Sequence, residues 1–202
     1  MINANADAMG IIFPNNYDKF VPELVSERLM ASIPFASRYR MIDFLLSSMV
    51  GCGIDKIEVL VRENYHSLVD HLGGGREWDL SRKNGGLSIF PPFAQKSIGS
   101  MGGGRVEALA NILPVLKKQK EKYVIMADTN IAANFDFNAL IAQHVKTDAD
   151  ITFAYTKEEL PQELTGAKDA SKGLYYTLKL DGDKVEDIYI NKHRSRVCRI
   201  SL

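Results

Sequence analysis

The side chains that could do chemistry in this sequence are mostly those that bind anions. Arg38 and Arg40 could hold the phosphate of a substrate or an effector, and they could equally pair with Asp43 and other carboxylates. Gly104 ends a glycine run just before a predicted helix, where backbone N–H groups can bind phosphate; a flexible loop is the alternative. Asp128 is a carboxylate that directly follows an apolar run at 123–127. Phosphate recognition is therefore the chemistry to test against the fold.

Histidine and cysteine offer little to a metal site in this chain. His66, His71 and His144 lie on predicted helices without the spacing of a ligand set, so we expect them in helix packing or at the surface. Cys52 and Cys198 make neither a disulfide framework nor a zinc set. We expect two idle thiols in a reducing cytoplasm.

The composition excludes several classes of protein. The 202 residues include 25 Lys plus Arg and 25 Asp plus Glu, so the chain lacks the basic excess that is usual in nucleic-acid binders. No apolar run approaches the roughly 18 residues of a membrane span. The first eight residues are polar and do not resemble a signal peptide. We expect a cytoplasmic protein that binds neither nucleic acid nor membranes.

Strand-like and helix-like segments alternate along most of the chain and must position these side chains. The predicted strands are 9–13, 56–61, 87–90, 123–127 and 151–155, and the predicted helices are 41–52, 65–72, 106–119 and 137–146. This order predicts an α/β fold with a mainly parallel sheet and helices on both faces. Ligands of such sheets lie at the carboxyl ends of the strands, so the loops after Phe13, Val61 and Ala127 are the informative ones.

The last quarter of the chain has a different pattern. Apolar residues alternate at 174–180 and 185–190 on either side of Asp181-Gly182-Asp183, which predicts a C-terminal β-hairpin. A further alternating pattern, at 197–201, stops at the last residue. We expect the chain to be a truncated part of a longer protein.

Residues 31 to 80 carry a series of motifs in a specific order. The motifs are Pro34-Phe35, Tyr39-Arg40, Ile42-Asp43-Phe44, Leu46-Ser47, Gly53-Ile54 and His66-Ser67-Leu68. This series resembles the ADP-glucose pyrophosphorylase (glucose-1-phosphate adenylyltransferase) family, whose members make ADP-glucose and pyrophosphate from ATP and glucose 1-phosphate with Mg²⁺. The resemblance implies that residues 1–202 form a Rossmann-like nucleotidyltransferase domain of the glycosyltransferase-A type. It also implies a left-handed β-helix domain in the parent, for which this chain is too short.

The chain departs from the resemblance where catalysts of the family bind phosphates. Their glycine-rich loop after the first strand is missing, because only Gly10 is present there. Their Lys-Pro-Ala is matched by Met30-Ala31-Ser32, and the Gln after their second strand is matched by Arg62. The Gly-Thr-Ala-Asp-Ala at the start of a helix is matched by Gly104-Arg105-Val106-Glu107-Ala108.

A further departure concerns the metal. The aspartate that holds Mg²⁺ in the catalysts is matched by Asn130, and an amide is a poor substitute for a charged ligand. Asp128 lies two residues earlier and is the candidate metal ligand that remains. Loss of the loop, the lysine and the aspartate together resembles the non-catalytic, regulatory-type subunit of some Gram-positive bacteria.

The resemblance therefore implies a regulatory subunit that joins a catalytic subunit, as a heterotetramer in the full-length protein, and that binds no Mg²⁺ itself. A sugar-phosphate or nucleotide effector could bind at Arg28, Arg38, Arg40, Arg62 or Gly104. Two alternatives stay open. The chain could be a Mg²⁺-dependent catalyst that uses Asp128 for the metal and Arg28 and Lys19 for the phosphates, or a sensor of sugar phosphates or nucleotides without turnover.

Overall fold

The computed structural model describes residues 7–14, 18, 21–83, 85–91, 105–156, 176–190 and 199–200. These residues fall into two compact units, Met1–Ala139 and Leu140–Leu202. The strands are β1 Ala8–Phe13, β2 Pro34–Phe35, β3 Tyr39–Arg40, β4 Lys56–Leu60, β5 Gly86–Phe90, β6 Tyr123–Asp128, β7 Tyr155–Thr156, β8 Tyr176–Asp181, β9 Lys184–Ile190 and β10 Arg199–Ile200. The helices are α1 Met41–Gly51, α2 His66–Leu72, α3 Arg105–Leu116 and α4 Phe137–Thr147.

A four-stranded parallel sheet organises the first unit. Its strand order is β5-β4-β1-β6, and β1 pairs with β4 on one side and β6 on the other. In this register Ile11 lies opposite Glu58 and Met126, and Phe13 lies opposite Asp128. The predicted parallel sheet is confirmed, and β6 extends one residue beyond the prediction, to include Asp128.

Helix α1 covers one face of this sheet. Its buried residues Ile42, Leu46 and Met49 repeat at helical spacing. A Cβ added at Gly10 in β1 would lie 2.7 Å from the Met49 Sδ, so the Met49 side chain of α1 packs directly against the strand backbone at this position. Gly10, the third residue of β1, therefore lies at the contact between the strand and α1.

Helix α3 covers the opposite face. Ala108 and Ile112 of the helix form one core cluster with Met9, Ile11, Phe13 and Leu60 of the strands. Because β1 is buried along its whole length, its apolar run is continuous rather than alternating. Helices on both faces of the sheet were predicted from the sequence, and the structure confirms them.

The second unit contains the predicted hairpin. Strands β8 and β9 pair antiparallel around Gly182, which has a positive φ of 60°. Of the predicted strand at 151–155, only Tyr155 lies in a strand, β7, which pairs antiparallel with β10. The prediction of a strand at 151–154 was wrong. None of the helices in the described ranges is long and apolar enough to cross a membrane.

Candidate functional site

Three elements of the first unit meet where the strands end. Strand β1 ends at Phe13 and β6 ends at Asp128, and these two residues are paired in register. Helix α3, which packs on the same sheet face as Phe13, begins at Arg105. This edge is where a parallel sheet binds its ligands, so the residues here are the candidate site.

Asp128 is buried at this edge and forms an ion pair with Arg105. The Arg105 Nη2 donates to the Asp128 Oδ2, and the two side chains are 39% and 1% exposed. The Arg105 Cζ also lies 5.8 Å from the centroid of the Phe13 ring, within the range of a cation–π contact. Burial of an unpaired carboxylate destabilises the folded state. Arg105 supplies an opposite charge that stabilises the buried Asp128.

The residues that follow Asp128 offer only neutral oxygens. The Thr129 hydroxyl is buried and lies 3.5 Å from the carbonyl oxygen of Pro14, to which it can donate. The Asn130 Oδ1 is buried without a hydrogen-bond partner in the part of the chain that the structure describes. Asn130 therefore brings an amide oxygen, and no charge, to the end of β6.

These donors do not fit a Mg²⁺ ion. Mg²⁺ requires near-octahedral oxygen coordination and is usually bound through carboxylates that are free to reach it. The Asp128 carboxylate is engaged by Arg105, and within the described ranges no group of three His, Cys, Asp or Glu residues could hold a metal ion. The candidate metal ligand of the sequence analysis thus lies in an ion pair.

Met30 begins a short 3-10 turn, Met30–Ser32, at the position that the resemblance gives to lysine. The backbone N–H of Met30 donates to the Asp18 Oδ1 at 2.8 Å, which ties this turn to the segment after β1. Ala31 and Ser32 are buried. Residues 15–17, 19 and 20 lie outside the described residues, so Lys19 has no assigned position.

Arg38 and Arg40 have local partners. The Arg38 guanidinium lies over the Tyr39 ring, with its Cζ 5.3 Å from the centroid, and is exposed. The Arg40 Nη1 donates to the carbonyl oxygen and, at 2.8 Å, to the Oγ of Ser67, so this side chain joins β3 to α2. The sequence left open whether Arg40 pairs with Asp43. The structure shows a contact through the backbone, in which the Arg40 N–H donates to the Asp43 Oδ2 at 2.9 Å.

Arg28 and Arg62 are both half-buried, on segments that approach each other. Asn64 links the two segments, because its Nδ2 lies 3.4 Å from the Ser26 carbonyl oxygen. Gly104 lies outside the described residues. The structure thus brings Asp128 and Asn130 to one strand end and bonds Met30 to Asp18 in the segment after β1, while Arg38 and Arg40 are held by contacts of their own.

The three histidines considered in the sequence analysis, His66, His71 and His144, each contact a neighbouring side chain. The His71 Nε2 lies 2.6 Å from the Asp43 Oδ1, and the ring contacts Trp78 edge-on. His66 stacks on Tyr65, with ring centroids 5.0 Å apart. In the second unit, the His144 Nδ1 lies 2.8 Å from the Thr152 Oγ1. Their contacts support packing roles.

Arg105 is the site residue that the resemblance alone did not single out. It occupies the position of threonine in the family's Gly-Thr-Ala-Asp-Ala, and its partner Asp128 lies 23 residues later. A signal was present, because an arginine in place of a small polar residue beside a predicted phosphate loop adds a charge that needs a partner. The sequence does not identify that partner.

Comparison with known proteins supports this interpretation of the fold. The family model for nucleotidyl transferases matches residues 23–167. The glycogen biosynthesis protein GlgD of Geobacillus stearothermophilus is 36% identical over 151 residues, covering 73% of this chain and 43% of that protein. GlgD of Bacillus subtilis (strain 168) is 30% identical over 192 residues, covering 95% and 55%. The chain therefore spans about half the length of these two relatives.

Enzymes and a solved structure are also similar. The glucose-1-phosphate adenylyltransferase of Thermomicrobium roseum is 35% identical over 133 residues, which cover 65% of this chain and 31% of the enzyme. A crystal structure assigned as a Bacillus anthracis glucose-1-phosphate thymidylyltransferase, in complex with sucrose, superposes with a TM-score of 0.72. That match covers 96% of this chain and 69% of the other at 12% identity, and it therefore supports the fold alone. With the family model matching most of its length, this chain belongs to the nucleotidyl transferase family.

Proposed function

We propose that this protein is a regulatory subunit of ADP-glucose pyrophosphorylase in glycogen biosynthesis. It modulates a catalytic partner that makes ADP-glucose and pyrophosphate from ATP and glucose 1-phosphate, and it contributes little or no turnover itself. The observation that carries the proposal is the ion pair between Arg105 and the buried Asp128, because Asp128 is the candidate metal ligand that remains where Asn130 replaces the aspartate of the catalysts.

The chemistry of adenylyl transfer explains why these residues matter. Charge develops on the phosphates as pyrophosphate leaves, and enzymes stabilise it with cations and backbone N–H groups fixed in advance. Here Met30 places an apolar side chain where the resemblance expects a lysine, and its N–H is already bonded to Asp18. Asn130 supplies a neutral amide where the resemblance expects the metal-binding carboxylate. A protein that no longer has to catalyse the reaction can accept Met30, Asn130 and the ion pair between Arg105 and Asp128. Loss of catalysis is therefore a single cause for all three features.

The relatives point to the same pathway. Two proteins named glycogen biosynthesis protein GlgD match at 36% and 30% identity, and glucose-1-phosphate adenylyltransferases match over shorter segments. A chain that keeps the scaffold without the catalytic charges is suited to subunit contact, as a heterotetramer in the full-length protein. An anionic effector is expected at Arg28, Arg38, Arg40 or Arg62, or near Gly104.

Mixing the subunits tests the proposal. The full-length protein is assayed for pyrophosphate release from ATP and glucose 1-phosphate, alone and with a catalytic glucose-1-phosphate adenylyltransferase from the same cell. We expect no release above background from the protein alone, and a severalfold change in the kcat or KM of the partner on mixing. A protein that alone makes ADP-glucose as fast as the mixture is a catalyst, and that result would refute the proposal. Unchanged kinetics in the mixture would also refute it.

A further inference from the structure

We propose that the Arg105 guanidinium is a tethered substitute for a divalent cation at Asp128. The side chain keeps divalent ions off this carboxylate, so the strand end is assembled without metal. The inference deepens the proposed function, on which its biological meaning rests, but it concerns a contact within one chain. It can therefore be tested without the partner subunit.

The first step is the environment of Asp128. Its side chain is 1% exposed and lies at the end of β6, directly opposite Phe13 of β1. A carboxylate removed from water to this extent must be protonated, paired or bound to a cation. The structure provides the pair, because the Arg105 Nη2 donates to the Asp128 Oδ2.

The second step is that Arg105 is held in place from more than one side. It is the first residue of α3, and the helix is anchored by Ala108 and Ile112 in the core cluster that contains Phe13. Its guanidinium lies 5.8 Å from the centroid of the Phe13 ring. The cation is thus positioned by packed elements before any ligand arrives.

The third step is competition for the carboxylate. A divalent ion at Asp128 would lie next to the guanidinium, and the like charges would repel each other. The described residues that follow Asp128 in sequence, Thr129 and Asn130, would add neutral oxygens and no further negative charge. Displacement of Arg105 would break its ion pair with Asp128 and its contact with Phe13. The Arg105 guanidinium is therefore favoured over a divalent ion from solution.

Mn²⁺ is the probe for this inference, because its binding can be followed by electron paramagnetic resonance as well as by calorimetry. We compare the wild-type chain with Arg105→Gln and with the double variant Arg105→Gln/Asp128→Asn. We expect Arg105→Gln to bind Mn²⁺ at least tenfold more tightly than the wild type, and the double variant to lose that gain. Equal Mn²⁺ affinity in the wild type and in Arg105→Gln would overturn the inference.

Two further variants complete the test, one as a control for loss of an arginine and one in case Arg105→Gln does not fold. Arg82→Gln is the matched control, because Arg82 is an arginine with the same 39% side-chain exposure that pairs with carboxylates elsewhere, and it should leave Mn²⁺ binding unchanged. If Arg105→Gln does not fold, the wild type is compared with Asp128→Asn alone. Mn²⁺ binding by the wild type that disappears in Asp128→Asn would refute the inference, whereas equal or absent binding in the two supports it.

Discussion

Glu58 provides a quantitative test of the packing, because it is an acid in the middle of the parallel sheet. It lies on β4, opposite Ile11 and Ser88, and it is 3% exposed. Its Oε2 has no hydrogen-bond partner among the described residues. Burial raises the pKa of Glu58, and a hydrogen bond from Ser88 and the charge of Lys56 offset part of this rise.

The sign of the pH dependence follows from that raised pKa. Below the usual pKa of glutamate, about 4.3, the Glu58 carboxyl is protonated in both the folded and the unfolded chain and costs nothing. As the pH rises through the window up to the raised pKa, the unfolded chain releases the proton first, so the free energy of unfolding falls. Above the raised pKa, the full cost of a buried carboxylate is present.

The Glu58→Gln variant removes the buried charge while it keeps the shape of the side chain. A buried group without its partner costs about 1–3 kcal/mol, and the new amide recovers only part of that, so we expect a gain of about 1 kcal/mol at pH 8. The gain should shrink towards zero near pH 4.5. Urea unfolding followed by circular dichroism between pH 4.5 and 8 measures it.

Glu77→Gln is the matched control, because Glu77 is exposed on the short turn that contains Trp78. Its stability difference from the wild type should be small, because the side chain is exposed. A difference for Glu58→Gln that is flat across this range, or that falls with rising pH, would refute the reasoning.

Other substitutions test particular contacts by the same unfolding measurement. Gly86→Ala should destabilise the chain by more than about 1 kcal/mol, since φ is +82° and a Cβ would lie 2.3 Å from a carbonyl oxygen; Gly51→Ala, with open space, should instead stabilise it by about 0.5–1 kcal/mol. Equal effects of the two would contradict this account. Asp43→Ala should cost about 1–3 kcal/mol, because it removes the bond at the start of α1 and the contact with His71. Leu46→Ala should cost about 2–5 kcal/mol, since Leu46 is fully buried, and a smaller loss would mean that the core relaxes around the cavity.

Much of the fold could be predicted from short patterns in the sequence. The apolar run at 123–127 and the turn around Gly182 are signals contained within a few residues, and both elements form where they were predicted. The segment at 151–154 failed for the opposite reason. Its apolar residues fit a strand, but a strand also needs a paired neighbour, and the local sequence does not identify one; among the described residues, β10 pairs with Tyr155 and Thr156.

The site depends on contacts between distant residues, so less of it was predictable. The positions of Met30, Asp128 and Asn130 could be compared with the resembling family one by one. The pairing of Asp128 with Arg105 required two elements 23 residues apart to meet at one sheet edge. Likewise, the bond from the Met30 N–H to Asp18 depends on how the loop folds back, which no spacing rule gives.

The pairing of Arg105 with Asp128 also changes what this strand end can respond to. A bound metal ion exchanges with solution, and the fraction of sites that it occupies follows its free concentration. A side chain of the same polypeptide is present at a fixed local concentration that the cell cannot dilute. We therefore expect fluctuations in magnesium not to act through Asp128, and we expect a displacement of the first turn of α3 to release this carboxylate from Arg105.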